Sequence, residues 1–136
     1  MSLTFSETPD HIVIPTRVSL AAYGAALRSH VENLALGAGL NNLDVAAVPA
    51  NKLHVYTNIT LRYDGTVATV ELACGILVGA SYFQLFSQSP PVSTITYDRQ
   101  GTWVLAAGDV LRMVVVNATA GDDAYLYATG FVVDLT

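Results

Sequence analysis

From Leu53 the chain adopts a strict two-residue period. Leu53, Val55, Thr57, Ile59, Leu61 and Tyr63 alternate with His54, Tyr56, Asn58, Thr60 and Arg62. Successive side chains of a strand point to opposite faces, so this run reads as a half-buried strand with one core face. Asp64-Gly65 follows at once, a dipeptide suited to a type I′ turn. It predicts a hairpin, with a return strand over 66–74 that places Ala68, Val70, Leu72 and Cys74 on one face. Further strands are predicted over 82–86, 92–97, 102–105, 110–117 and 124–135. The breaks fall at Ser89-Pro90-Pro91, at 98–101, at Ala107-Gly108-Asp109 and at 119–123. Short strands at this spacing indicate an all-β, antiparallel sandwich or barrel.

Ahead of this region the period is different. Leu20, Tyr23, Leu27, Val31 and Leu34 recur at steps of three and four and predict one N-terminal α-helix over 18–36. Thr16 or Ser19 could cap it, and Gly37 suits its C-terminal end. Ala21, Ala22, Gly24, Ala25 and Ala26 keep one stretch slim enough for close approach by a neighbour. The helix either covers one end of the sheet or packs in an oligomer interface. Residues 37–52, rich in Gly and Asn, read as a loop. The chain therefore divides into an arm, helix and loop over 1–52 and a β-sandwich over 53–136, one structural domain overall.

The last two strands lack a polar face. Val110 to Val116 is apolar on both sides except for Arg112. In 124–135, Tyr125, Tyr127, Phe131, Val133 and Leu135 share one parity, and Ala124, Leu126, Ala128, Gly130 and Val132 share the other. An antiparallel strand with one wet side keeps that side polar. Here one side is expected to face the core and the other a second subunit. Composition agrees: 52% of residues are hydrophobic and 12% charged, where about 25% charged is usual. A small domain has too much surface to cover with so few charges, so part of its apolar surface is expected to be buried in assembly. The candidate interface residues are Val114, Val116, Tyr125, Tyr127, Phe131 and Val133, with the helix stripe Leu20, Tyr23, Leu27, Val31 and Leu34 second. Register also suggests an Asp134–Arg112 pair.

Two segments resemble the C-terminal third of the tumour-necrosis-factor/C1q-like jelly roll. They are Trp103-Val-Leu-Ala-Ala-Gly108-Asp109-Val-Leu, and Tyr125-Leu-Tyr-Ala-Thr-Gly130-Phe131-Val-Val. In that family a Gly-Asp turn opens the penultimate strand and a small-Gly-Phe step lies in the last. The resemblance spans 102–135 and implies a jelly-roll-like sandwich with the N-terminal helix added, assembled as a homotrimer packed about a threefold axis by its last strands. The animal family is secreted and lacks the N-terminal helix, whereas Met1 to Asp10 shows no signal-peptide pattern. Trimeric jelly rolls without export signals are typical of bacteriophage virions, as head-decoration proteins, fibre knobs and needle tips.

Chemistry is sparse by comparison. His11, His30 and His54 have no metal-type spacing, so the paired histidines of a cupin are missing. Nucleophile-elbow and phosphate-loop motifs do not occur. Asp122-Asp123 offers too few oxygens for calcium and reads as a solvated turn. Cys74, the single cysteine, lies in an apolar stretch and reads as a small core residue. Asn58-Ile-Thr60 and Asn117-Ala-Thr119 match the glycosylation sequon, but Asn58 sits mid-strand and chance explains both. Tyr56, Tyr63, Tyr82, Tyr97 and Trp103 could stack on sugar, although aromatics dominate cores and interfaces too. A net charge of −5 with one lysine argues against nucleic-acid binding, and no apolar run is long enough to span a membrane. The expectation is a non-enzymatic protein without cofactor or metal. It would be a homotrimeric capsid decoration or cementing protein of a bacteriophage, assembled in the host cytoplasm onto the major capsid protein or another virion protein. A receptor-binding fibre or tail knob is the alternative, and a small jelly-roll lectin or enzyme is a second one.

Overall fold

A computed structural model describes residues 25–135. They form eight strands: β1 (Ala25–Asn33), β2 (Gly39–Asp44), β3 (Lys52–Asp64), β4 (Glu71–Val78), β5 (Ser81–Gln88), β6 (Thr96–Leu105), β7 (Val110–Ala118) and β8 (Asp123–Asp134). Two antiparallel four-stranded sheets result, ordered β1-β8-β3-β6 and β2-β7-β4-β5. The described residues form an all-β sandwich. Among the described residues no helix is long and apolar enough to cross a membrane.

The helix expected over 18–36 is corrected where the structure describes it. Residues 25–33 are β1, paired with β8 from Ala25↔Val132 to Asn33↔Ala124, while Leu20 and Tyr23 lie outside the described residues. A step of four is even, so Leu27 and Val31 share a face in a strand as they would in a helix. Both pack against the core, while Arg28, His30 and Glu32 are exposed. Ser29, His30, Val31 and Asn33 are weak helix formers, and pairing with β8 decides the outcome. The loop expected over 37–52 also contains a strand. In β2 only Leu43 is buried, and Leu40 is exposed, so the segment had no visible alternation. The Asn41 amide closes its entry, accepting from Gly37 N at 3.1 Å and donating to Gly37 O at 2.8 Å.

The expected hairpin at Asp64-Gly65 is a crossing between sheets instead. β3 pairs with β8 and β6, whereas β4 pairs with β7 and β5. A type I′ turn needs positive φ at both central residues, and only Gly65 has it, at 142°. A Cβ at Gly65 would lie 2.1 Å from the Asp122 carboxyl carbon. That carboxylate accepts Thr66 N at 2.8 Å and holds the corner, so Asp122 is a structural acceptor, not a solvated turn residue. Residues 92–97 and 102–105 were expected as two strands. The chain is strand throughout 96–105, with the break absorbed as a register shift opposite Tyr56 and Asn58.

The core lies between the sheets. Ile59, Leu61 and Tyr63 of β3 and Leu126 and Ala128 of β8 meet Leu72 and Cys74 of β4 and Leu111, Met113 and Val115 of β7. Each Leu, Ile or Val so buried contributes about 1.5–3 kcal/mol. The charged residues sit outside this core. Arg112 pairs with Asp44 through two bonds of 2.7 and 2.8 Å, and Lys52 pairs with Asp134. The expected Asp134–Arg112 pair does not form, because β7 and β8 belong to different sheets. Exposed ion pairs of this kind contribute at most about 1 kcal/mol each, so apolar packing carries the fold.

Candidate functional site

β8 divides as its two parities suggest. The small residues Ala124, Leu126 and Ala128 are buried in the core. The large residues, Tyr125 and Tyr127, stand on the outer face of the β1-β8-β3-β6 sheet. Register aligns the neighbours across this face. Glu32, Tyr125, Arg62 and Thr96 make one row, and His30, Tyr127, Thr60 and Asp98 the next. The imidazole of His30 stacks on Tyr127 with ring centroids 4.6 Å apart and planes at 10°. Tyr127 and Tyr125 are parallel within 6° at 6.2 Å. The Arg62 guanidinium lies 5.4 Å over the Tyr125 ring.

The polar groups here are tied to one another. Arg62 donates to both Asp64 oxygens, at 2.8 and 2.9 Å. His30 Nε2 is 3.5 Å from Glu32, and the Thr60 hydroxyl donates to Asp98. Burial comes first among the causes that raise the Tyr125 phenol above its usual pKa, with Asp123 next. The face is thus a rigid row of three rings capped by a guanidinium. Aromatic and arginine side chains in this arrangement are favoured at the centres of protein contacts.

Further along the same face, Phe131 and Val55 are cross-strand partners. They are only 4% and 2% exposed and stand apart from the main core cluster. Phe131 therefore offers little free surface to a neighbour, unlike Tyr127, at 36%, or Val104, at 55%.

The candidate interface residues do not all come together. Tyr125, Tyr127, Phe131 and Val133 share the outer face of one sheet. Val114 and Val116 lie on the outer face of the other, half-buried beside Asn42, Ala73 and Glu71. A single flat contact engages one set or the other. Leu27 and Val31 line the inside of β1, and Leu34 is exposed beyond its end. His30 and Arg62 were missed. The alternation Arg28, His30, Glu32 within the presumed helix was the available clue.

The aromatics considered for sugar stacking separate clearly. Tyr56 and Tyr63 are buried in the core, and Trp103 packs against it. Tyr82 covers Gly75, where a Cβ would meet its ring at 2.6 Å. Burial raises the Tyr82 phenol to about 12. Tyr97 lines an open cleft, with Phe86, Ser87, Gln88, Asp98 and Arg99. Among the described residues no three His, Cys, Asp or Glu side chains are grouped to hold a metal ion. His54 Nδ1 is buried and has no partner among the described residues, and burial, then Lys52, lowers the His54 pKa.

No protein-family model matches the chain, and no curated protein matches its sequence.

Proposed function

We propose that the sandwich is a jelly roll that assembles as a homotrimer through the outer face of β1-β8-β3-β6. The trimer is a non-enzymatic structural component of a bacteriophage virion and decorates or cements the capsid. The observation that carries the assembly is the stacked row His30–Tyr127–Tyr125 with Arg62 over its end. These rings bury area at little entropic expense, because their neighbours already fix them. Strand order supports the jelly roll. Six of the seven successive connections cross between the sheets, only β4 to β5 staying within one, and the first and last strands lie side by side. The resemblance of 102–135 to trimeric jelly rolls supports the same arrangement, in which the last strands meet on the axis.

The mechanism is area burial multiplied by symmetry. A trimer on a local threefold site makes three equivalent contacts with the capsid, and linkage turns three weak contacts into one strong attachment. An antibody against the chain is the test. It should label the heads of purified virions. Labelling confined to fibres or tails would contradict decoration and favour the second reading, a receptor-binding knob. That reading draws support from one observation, the cleft beside Tyr97 and Arg99.

A further inference from the structure

β5 and β6 are the last strands of their respective sheets, on the same side of the sandwich. The sheets part there into an open cleft of about 110 Å³. Its walls are Phe86, Ser87 and Gln88 of β5 and Tyr97, Asp98 and Arg99 of β6. Arg99 pairs in register with the buried Ile59, so it occupies a position that faces inward elsewhere along the strand. Its guanidinium lies 5.2 Å over the Phe86 ring.

The polar groups of this cleft are unequally used. Arg62, Arg112 and Lys52 each have a carboxylate partner. Among the described residues Arg99 has none, and its guanidinium makes no hydrogen bond to the protein. Asp98 points to the other side of β6, where Thr60 donates to it. The Tyr97 hydroxyl accepts Val92 N at 2.7 Å and keeps its own proton to donate. Gln88 shares the inward parity of Phe86, opposite Leu72, and among the described residues its amide is uncommitted, whereas Ser87, opposite Ala73, turns to the outer face. An inward charge on an edge strand can by itself discourage edge pairing. That role needs no concave wall of aromatic rings and free donors around the charge.

We infer that this cleft binds a carboxylated pyranose, a uronic or sialic acid residue of a surface glycan. The sugar's carboxylate would take the planar donor fork of Arg99. Its C–H face would lie against Phe86 or Tyr97, and a hydroxyl would meet the Gln88 amide. The cleft is smaller than usual ligand sites and would engage one face of a single sugar ring. This inference rests on the second reading, the knob, and is independent of the trimer.

Saturation-transfer NMR on the full chain tests it, with methyl glucuronoside, methyl sialoside and neutral methyl glucoside as probes. Transfer to one or both acidic glycosides is expected at about 10 mM ligand, and the pair of probes tells the two sugar classes apart. The glucoside should bind at least about tenfold more weakly. Arg99→Gln should abolish transfer while the melting temperature and far-UV spectrum stay unchanged. No transfer from either acid, equal binding of the glucoside, or undiminished binding by Arg99→Gln would each overturn the assignment. Because the probes read ligand alone, a monomer that binds acid sugar would keep this inference and lose the trimer.

Discussion

The hydroxyl of Tyr63 donates to the Asp122 carboxylate at 2.8 Å and joins the end of β3 to the turn before β8. The ring is fully buried. The same hydroxyl accepts Thr119 N at 3.2 Å, and the same Asp122 oxygen accepts Thr66 N at 2.8 Å. One carboxylate thus satisfies a buried phenol and a backbone amide at the corner where the chain changes sheets. Asp122→Ala leaves both donors without an acceptor and should destabilise the protein by about 2 kcal/mol. Asp122→Asn retains one acceptor oxygen and should lose less. Urea denaturation of the two variants measures the difference.

Gly130 faces the core side of β8, opposite Tyr56. A Cβ there would sit 1.8 Å from the Val55 carbonyl oxygen. Backbone cannot swing aside as a flexible side chain can. Gly130→Ala should therefore destabilise by about 3 kcal/mol or prevent folding. Ala128→Gly, two residues away in the same strand, should be milder, about 1 kcal/mol. Thermal denaturation of both variants provides the check.

Much of the sandwich was legible because alternation and core burial coincide over Ile59, Leu61 and Tyr63 of β3 and because β7 and β8 are apolar on both faces. Ahead of the register shift between Tyr56 and Asn58 the faces of β3 reverse, so Tyr56 is in the core and Val55 outside it. The sandwich was not legible where a strand has a mostly wet surface. β1 hides among residues spaced by four, a step that both periods share, and β2 has a single buried apolar side chain. Asp64-Gly65 misled because a local turn preference says nothing of Asp122, which is 57 residues away and occupies the space beside Gly65. The outward Tyr125 and Tyr127 were readable from parity alone. Their partners His30 and Arg62 depend on which strands are neighbours, and that is set by the whole topology.

The Cys74 thiol is buried, which pushes its pKa up from an ordinary value of 9 to about 12. The thiolate forms more easily in the unfolded chain, so folding stability is full below pH 9 and falls as pH rises toward 12. Tyr82, raised from 10 to about 12 by burial, adds to the same fall. The melting temperature should drop across that window, and Cys74→Ala should make the drop shallower. At pH 8 the native thiol should resist alkylation by iodoacetamide until urea exposes it.

Arg112 and Asp44 form an exposed ion pair, with two bonds across β7 and β2. The pair remains open to water, so Asp44→Asn should lower stability by less than about 1 kcal/mol, and added salt should erase the difference. A loss of several kcal/mol in denaturation would mean that the pair does more than decorate the sheet.

Tyr127→Glu puts a charge in the middle of the stacked row, beside His30 and Tyr125. It should separate the subunits without unfolding them, since Tyr127 lies outside the core. Val114→Glu, on the opposite sheet, should leave assembly intact. Far-UV circular dichroism and sedimentation velocity together distinguish dissociation from unfolding.

Native mass determination by light scattering at micromolar concentration tests assembly through the β8 face most directly. The unmodified chain should elute as a single species of three times its 14.4 kDa mass. A uniform 14.4 kDa species throughout that concentration range would contradict the account.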